Sequence, residues 1–217
     1  RIVGGLEKRN MPMTASERRA TAIHEAGHAT VMWSLAECDP VLKVTVVPRG
    51  KSLGATWSVP DEERVHVTNE ALEEQLAGLL GGRIAEELIF HSITTGASND
   101  IEQATKLARA LVTRYGMTED FDMVALETVN NAYLGGDASL ACSEQTAAKV
   151  DAKVVEIVQA EHRKAYKLLA DNKRKLDEIA QYLYEKETIS GEELMRILNA
   201  QPQLPEETSA DSTNAVQ

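Results

Sequence analysis

Residues 14–36 read TASERRATAIHEAGHATVMWSLA, and this stretch predicts the first helix of a mainly helical protein. Thr14 and Glu17 have the spacing of a capping box, in which each side chain bonds the backbone N–H of the other residue. Apolar residues follow at helical spacing until Cys38-Asp39-Pro40 ends the segment. The histidines of His24-Glu25-Ala26-Gly27-His28 are four positions apart, so a helix places both imidazoles on one face.

This HExxH pattern predicts a zinc site with a catalytic base. Two converging imidazoles supply half of a tetrahedral coordination sphere, and the intervening Glu25 can activate a zinc-bound water as general base. Gly27 costs about 1 kcal/mol relative to Ala in a helix interior, which indicates close approach by another backbone or by substrate. A helix whose two histidines only pack against neighbours would carry the same pattern, so the zinc interpretation depends on the surrounding sequence.

A catalytic zinc needs a third protein ligand, and the residues leave two carboxylates open. Asp100 is predicted in the first turn of a helix capped by Asn99, where the helix N-terminus favours negative charge. Glu86 is predicted in mid-helix beside an apolar stripe, where an inward carboxylate needs a partner. Spacing alone does not rank Asp100 over Glu86. Three other histidines have no motif around them and are predicted to be surface or packing residues: His66, His91 and His162.

The next part of the chain predicts a small β-hairpin or sheet and more helices. β-Branched residues indicate strands at 41–47 and 53–59, and the second strand is a candidate edge for pairing with an extended peptide. Helical spacing returns after Thr68. Gly81-Gly82 predicts a helix end there, followed by a separate short helix at 83–90.

The last third predicts a long helical hairpin that starts at about residue 143, with a turn at Asn172. Ser190 has the capping-box spacing to Glu193 and predicts one more helix. Residues 117–142 are expected to be irregular. Residues 201–217 are rich in Pro, Glu, Ser and Thr, have almost nothing to bury, and are predicted to be a disordered tail.

Composition excludes several classes of protein. The net charge is −11 and the pI about 5.0, so the chain lacks the basic face that nucleic acids require. Two cysteines exclude a disulfide scaffold. No apolar run approaches the roughly 18 residues of a membrane span, so the chain is expected to be soluble. With 43% apolar residues, it has enough material for the core of one domain.

Six segments together closely resemble the FtsH family of ATP-dependent zinc metalloproteases. They are HEAGH (24–28), DPVLKV (39–44), PRG (48–50), LGGR (80–83), AEE (85–87) and TTGASND (94–100). The resemblance covers about residues 1–199. It implies that His24, His28 and Asp100 bind zinc and that Glu25 is the catalytic base. It also implies that Glu86 orients a ligand histidine from outside the coordination sphere.

The resemblance further implies what the whole protein works with. The family carries N-terminal membrane spans and an AAA+ ATPase module, both absent from this sequence, which has no GxxxxGK[ST] loop. Residues 1–13 are expected to be a linker from that module, and residues 14–200 the zinc peptidase domain. ATP is needed only by the absent module.

The expected assembly is a homohexamer on the cytoplasmic face of a membrane, held there only by the absent spans. Its expected substrates are unfolded or membrane-extracted proteins, and not nucleic acid. A non-catalytic helical oligomerisation platform is the alternative function, because the helical stripes after residue 143 suit either one.

Overall fold

The computed structural model describes residues 13–48, 53–60, 66–129 and 138–200. The predicted tail at 201–217 and nearly all of the predicted linker at 1–13 lie outside these residues, as does most of the turn at 48–50. Within the described part of the chain, six helices are α1 (Ala15–Ser34), α2 (Asn69–Phe90), α3 (Ser98–Thr113), α4 (Glu144–Asp171), α5 (Lys173–Lys186) and α6 (Gly191–Asn199). The strands are β1 (Val41–Thr45), β2 (Ala55–Ser58), β3 (Glu127–Val129), β4 (Ala138–Leu140) and β5 (Thr188–Ser190). The mainly α class with a small β element is confirmed.

Side-chain caps start most of the helices where the sequence predicts. Thr14 and Ser190 both form complete capping boxes with the glutamate three residues on. Thr68 and Ser143 each accept a hydrogen bond from a backbone N–H in the first turn of α2 and α4. These bonds satisfy N–H groups that have no partner inside the helix.

The predicted helix end at Gly81-Gly82 is wrong, because α2 runs unbroken from Asn69 to Phe90. Tertiary packing outweighs the low helix propensity of the two glycines. A Cβ on Gly81 would lie 2.9 Å from the carbonyl oxygen of Gly27, so α1 and α2 touch backbone to backbone. Gly81 is therefore required by the crossing of the two helices, and the pair does not mark a helix end.

The start of α3 also differs from the prediction. Asn99 lies inside the first turn and does not cap it, because the 3-10 turn Thr95–Ala97 runs directly into the helix. The N–H of Ser98 donates to the carbonyl of Thr95, so the chain enters α3 already hydrogen-bonded. Asp100 lies in the first turn, as predicted.

The predicted hairpin of β1 and β2 forms, and β5 joins it on the other side, giving the antiparallel order β2-β1-β5. Val44 in the central strand pairs with Thr56 and with Ile189. The sequence did not predict β5, which has only three residues. The region 117–142, predicted as irregular, holds a second short antiparallel pair, β3 with β4, and a 3-10 turn at Glu119–Phe121.

The core lies around α1, which packs against α2 and α5, while α4 packs against α2 and α3. The apolar stripes after Ser143 are buried in this core, including Val150, Leu169, Leu176, Leu183, Leu194 and Leu198. These apolar residues therefore pack inside the domain itself. No helix in the described ranges is long and apolar enough to cross a membrane.

Candidate metal centre

The two motif histidines meet a carboxylate from another helix. On α1, Nε2 of His24 and Nε2 of His28 are 3.1 Å apart. The first turn of α3 places Oδ2 of Asp100 3.2 Å from the His24 nitrogen and 3.6 Å from the His28 nitrogen. In the described part of the chain, this trio is the group of His, Cys, Asp and Glu side chains whose ligand atoms converge closely enough for a metal.

Hydrogen bonds on the far side of each ring fix how the imidazoles point. His24 Nδ1 lies 2.7 Å from Oε1 of Glu86, and His28 Nδ1 lies 2.9 Å from the carbonyl oxygen of Gly78. A carbonyl and an ionised carboxylate only accept, so both Nδ1 atoms donate. In the neutral form of each ring, Nε2 then carries the lone pair, which is the tautomer that a metal ligand requires.

Glu86 is a support for His24 and lies apart from the three converging atoms. It is 3% exposed on α2, and its second oxygen accepts a 2.8 Å hydrogen bond from the hydroxyl of Thr94. Burial would raise the pKa of Glu86, but the hydrogen bonds from His24 and Thr94 outweigh it and lower that pKa. The sequence did not predict the part played by Thr94, although this residue begins the segment TTGASND (94–100), which runs into the first turn of α3.

The donor set fits zinc in chemistry and in spacing. Ligands at about 2.0–2.1 Å from a tetrahedral zinc are about 3.3 Å apart, close to the 3.1, 3.2 and 3.6 Å found here. Gly82 on α2 lies directly beside the two imidazole nitrogens. A Cβ on Gly82 would come within 2.5 Å of both Nε2 atoms, so glycine at this position allows the two rings to converge.

The two imidazole nitrogens and the carboxylate oxygen, placed this close together, favour a positive charge between them. Burial by itself would lower the pKa of His24, but hydrogen bonds to the carboxylates of Asp100 and Glu86 raise that pKa to about 10. Burial would likewise raise the pKa of Asp100, yet the contacts with His24 and His28 bring it well below its usual range. The site thus stabilises a cation between two imidazoles and a carboxylate.

Glu25 lies beside this trio with its carboxylate turned toward the small sheet. It is 6% exposed, and its Oε2 accepts a 2.7 Å hydrogen bond from the hydroxyl of Thr56 on β2. Burial raises the pKa of Glu25, although the charges of His28 and His24 and the Thr56 bond oppose the shift. The sequence predicted the strand that carries Thr56 and gave no signal for this contact.

The remaining histidines lie away from the centre. His162 on α4 contacts Glu87 at 3.2 Å and stacks on Tyr166. His91 follows the last residue of α2 in a left-handed conformation, and His66 is exposed just before α2. Their prediction as surface or packing residues agrees with these positions.

A helix that presents HExxH to a carboxylate from a second helix is typical of the metallopeptidases. The sequence profile described as Peptidase family M41 matches residues 11–197, and the chain belongs to this family. The predicted resemblance to the FtsH metalloproteases is thereby confirmed.

Curated relatives are similar along nearly the whole chain. The ATP-dependent zinc metalloprotease FtsH of Clostridium perfringens is 47% identical over 211 residues, which are 97% of this chain and 29% of that protein. The protein of the same name in Lancefieldella parvula is 48% identical over 198 residues, 91% of this chain and 31% of its own length. That of Acidobacterium capsulatum is 40% identical over 217 residues, 99% of this chain and 34% of its own length. The chain therefore spans about a third of the curated relatives that it matches.

Proposed function

We propose that the chain is a zinc-dependent endopeptidase domain in which His24, His28 and Asp100 hold the metal and Glu25 is the catalytic base. The observation that carries this proposal is the convergence of two Nε2 atoms and one carboxylate oxygen at the centre beside Glu25. The similar proteins named above are zinc metalloproteases, which supports the choice of metal.

Some residues would orient the histidines that bind the metal, and another would reduce the charge of the site. Zinc, when bound, supplies Lewis-acid chemistry that polarises a peptide carbonyl and makes water more acidic. His24 and His28 are held in the binding tautomer by Glu86 and by the carbonyl of Gly78. Asp100 contributes the negative charge, which reduces the net charge of a two-histidine zinc site from +2 to +1.

Glu25 moves the proton. Its carboxylate takes a proton from the water that attacks the scissile carbonyl carbon. It then gives that proton to the amide nitrogen as the C–N bond breaks, so one peptide bond and one water become a carboxylic acid and an amine. A carboxyl pKa raised by burial brings Glu25 nearer to neutral pH, where a general base works best.

In the whole protein, we propose that this domain acts below an ATPase module of the same chain in a homohexamer at the cytoplasmic face of a membrane. Unfolded or membrane-extracted proteins would reach it as extended segments. The edge strand β2, which pairs with β1 on one side, is positioned to add such a segment as a further strand. The names of the similar proteins, which include ATP dependence, support the link to an ATPase.

The test is metal analysis and digestion of unfolded casein by the purified 217-residue chain, without ATP. We expect one zinc per chain, cleavage that a chelator abolishes, and recovery with zinc. Glu25→Gln should keep zinc and lose activity by about 10²- to 10⁴-fold. Glu102→Gln, an exposed carboxylate on α3, is the matched control and should retain activity. A chain that oligomerises with neither zinc nor cleavage would instead establish the non-catalytic platform.

A further inference from the structure

The carboxylate of Glu25 is held by the small sheet. The hydroxyl of Thr56 donates to Oε2 at 2.7 Å and lies 3.3 Å from the backbone carbonyl oxygen of the same glutamate. The shorter contact is to the charged acceptor, which makes it the stronger of the two. The single proton of the Thr56 hydroxyl therefore goes mainly to the carboxylate, with the backbone carbonyl of Glu25 as a weaker second acceptor.

Gly54 closes the other side of the carboxylate. A Cβ at this position would lie 2.7 Å from Oε1 of Glu25 and 2.9 Å from its Cγ. The backbone at residue 54 therefore packs against one oxygen while Thr56 bonds the other. Both oxygens are thus placed by the same short segment of chain.

The sheet fixes that segment. Thr56 pairs with Val44 in the central strand β1, and Val44 is fully buried and pairs on its other side with Ile189 of β5. The position of the Thr56 hydroxyl is consequently set by the register of three strands. A rotation of the Glu25 side chain would have to break its bond to this anchored hydroxyl.

We propose that Thr56 is a positioning residue for the catalytic base: its hydroxyl holds the Glu25 carboxylate in the one orientation from which it takes and returns the proton. This inference rests on the proposed function. Proton transfer requires heavy atoms within about 2.6–3.2 Å, so a carboxylate free to rotate spends less time within reach. The hydroxyl does not touch the metal-binding atoms and should not affect how tightly they bind.

The first experiment compares the steady-state kinetics of three variants on an unfolded peptide substrate. Thr56→Val keeps the shape and removes the donor, and we expect kcat to fall about 10- to 100-fold with KM and zinc affinity nearly unchanged. Thr56→Ser restores the hydroxyl and should recover most of kcat. Thr113→Val is the matched control, because the buried Thr113 at the end of α3 also donates to a carboxylate, that of Glu127, and contacts neither Glu25 nor the three-stranded sheet. It should lower stability and leave kcat unchanged.

The second experiment needs no activity. In the metal-free chain, urea unfolding is measured for Thr56→Val alone, for Glu25→Ala alone and for both together. We expect Thr56→Val to lower the denaturation midpoint strongly when Glu25 is present, because a buried carboxylate loses its donor, and much less in the Glu25→Ala background.

The outcomes separate this inference from the proposed function. Equal effects of Thr56→Val in both backgrounds would show that the contact is absent and would overturn the inference. Coupling with an unchanged kcat would reduce Thr56 to a structural residue and would also overturn it, while leaving the peptidase intact. A wild-type chain that binds zinc and cuts nothing would refute the proposed function, and the positioning role with it, even if the coupling were present.

Discussion

Gly27 and Gly81 bring the backbones of α1 and α2 into direct contact: a Cβ on Gly27 would lie 2.5 Å from the carbonyl oxygen of Gly81. The same Cβ would lie 2.5 Å from Cβ of Ala85, so it would meet a second fixed atom. One helix carries both motif histidines, and the other carries Glu86 and the carbonyl of Gly78 that orient them. The spacing between these two backbones thus determines the geometry of the candidate metal centre.

Gly27→Ala is expected to destabilise the protein. The new methyl group collides with backbone, which no rotamer change relieves, and overpacking of this kind costs about 1–3 kcal/mol. That cost exceeds the gain of about 1 kcal/mol from the better helix propensity of alanine. Urea unfolding of the metal-free chain measures the difference. An unfolding free energy equal to or above that of the wild type would show that the helices can separate at little cost.

Gly82→Ala is expected to prevent metal binding while the fold persists. Its Cβ would lie 2.5 Å from both Nε2 atoms, which is too close, so the two imidazoles would have to move out of the arrangement in which they converge. Gln75→Ala, an exposed position on the same helix, is the control. Zinc titration with a competing chelator checks both variants, with circular dichroism as the test of folding. Near wild-type affinity in Gly82→Ala would place the ion elsewhere.

Asp100→Asn and Glu86→Gln distinguish a proposed zinc ligand from a residue that orients one. Asp100→Asn replaces an anionic oxygen by a neutral amide next to both Nε2 atoms, and we expect a severe loss of zinc affinity. Glu86→Gln keeps an acceptor for His24, so its loss should stay within about 10- to 100-fold. Competitive chelator titration measures both affinities. If Glu86→Gln lost zinc while Asp100→Asn kept it, the two roles would be exchanged.

The sequence predicts the proposed metal ligands better than it predicts the residues that orient them. The HExxH spacing places two imidazoles on one helix face whatever the tertiary structure, so His24 and His28 could be paired from local geometry. Asp100 and Glu86 could not be ranked by spacing, because their contacts depend on how three helices cross. Thr56 and Thr94 carry no local signal, since a hydroxyl in a strand or turn is common. The prediction of a helix end at Gly81-Gly82 fails for the same reason: low helix propensity predicts an end, and only the tertiary structure shows that Gly81 packs against Gly27 and Gly82 against the two histidines.

Glu161→Gln is expected to stabilise the protein at neutral pH. Glu161 on α4 is 7% exposed, and its Oε2 has no hydrogen-bond partner among the described residues. Burial, with a smaller contribution from the charges of Glu73 and Glu74, raises its pKa, while Lys164, 3.7 Å away, opposes the shift. The folded state therefore favours the protonated form.

The sign of the pH dependence follows from that shift. The contribution of Glu161 to stability is most favourable below its ordinary pKa of 4.5 and is lost as the pH rises through the raised value. The melting temperature of Glu161→Gln should exceed that of the wild type at pH 7.5, with the difference shrinking toward pH 4. Glu156→Gln, an exposed carboxylate on the same helix, should show no such gain. A lower melting temperature for Glu161→Gln at pH 7.5 would refute the prediction.

Because β1 pairs with β5, the support of the proposed base Glu25 can form only after β5 has been synthesised. Thr45 and Thr188, which bond across these strands, are 143 residues apart in sequence. A ribosome makes β1 and β2 before α2 to α5, and an isolated two-stranded hairpin is at best marginally stable in water. The third strand emerges only after α5 has been made, so the support behind Glu25 is completed near the end of the domain. A nascent chain would therefore remain without an ordered proton acceptor until its C-terminal helices had been translated.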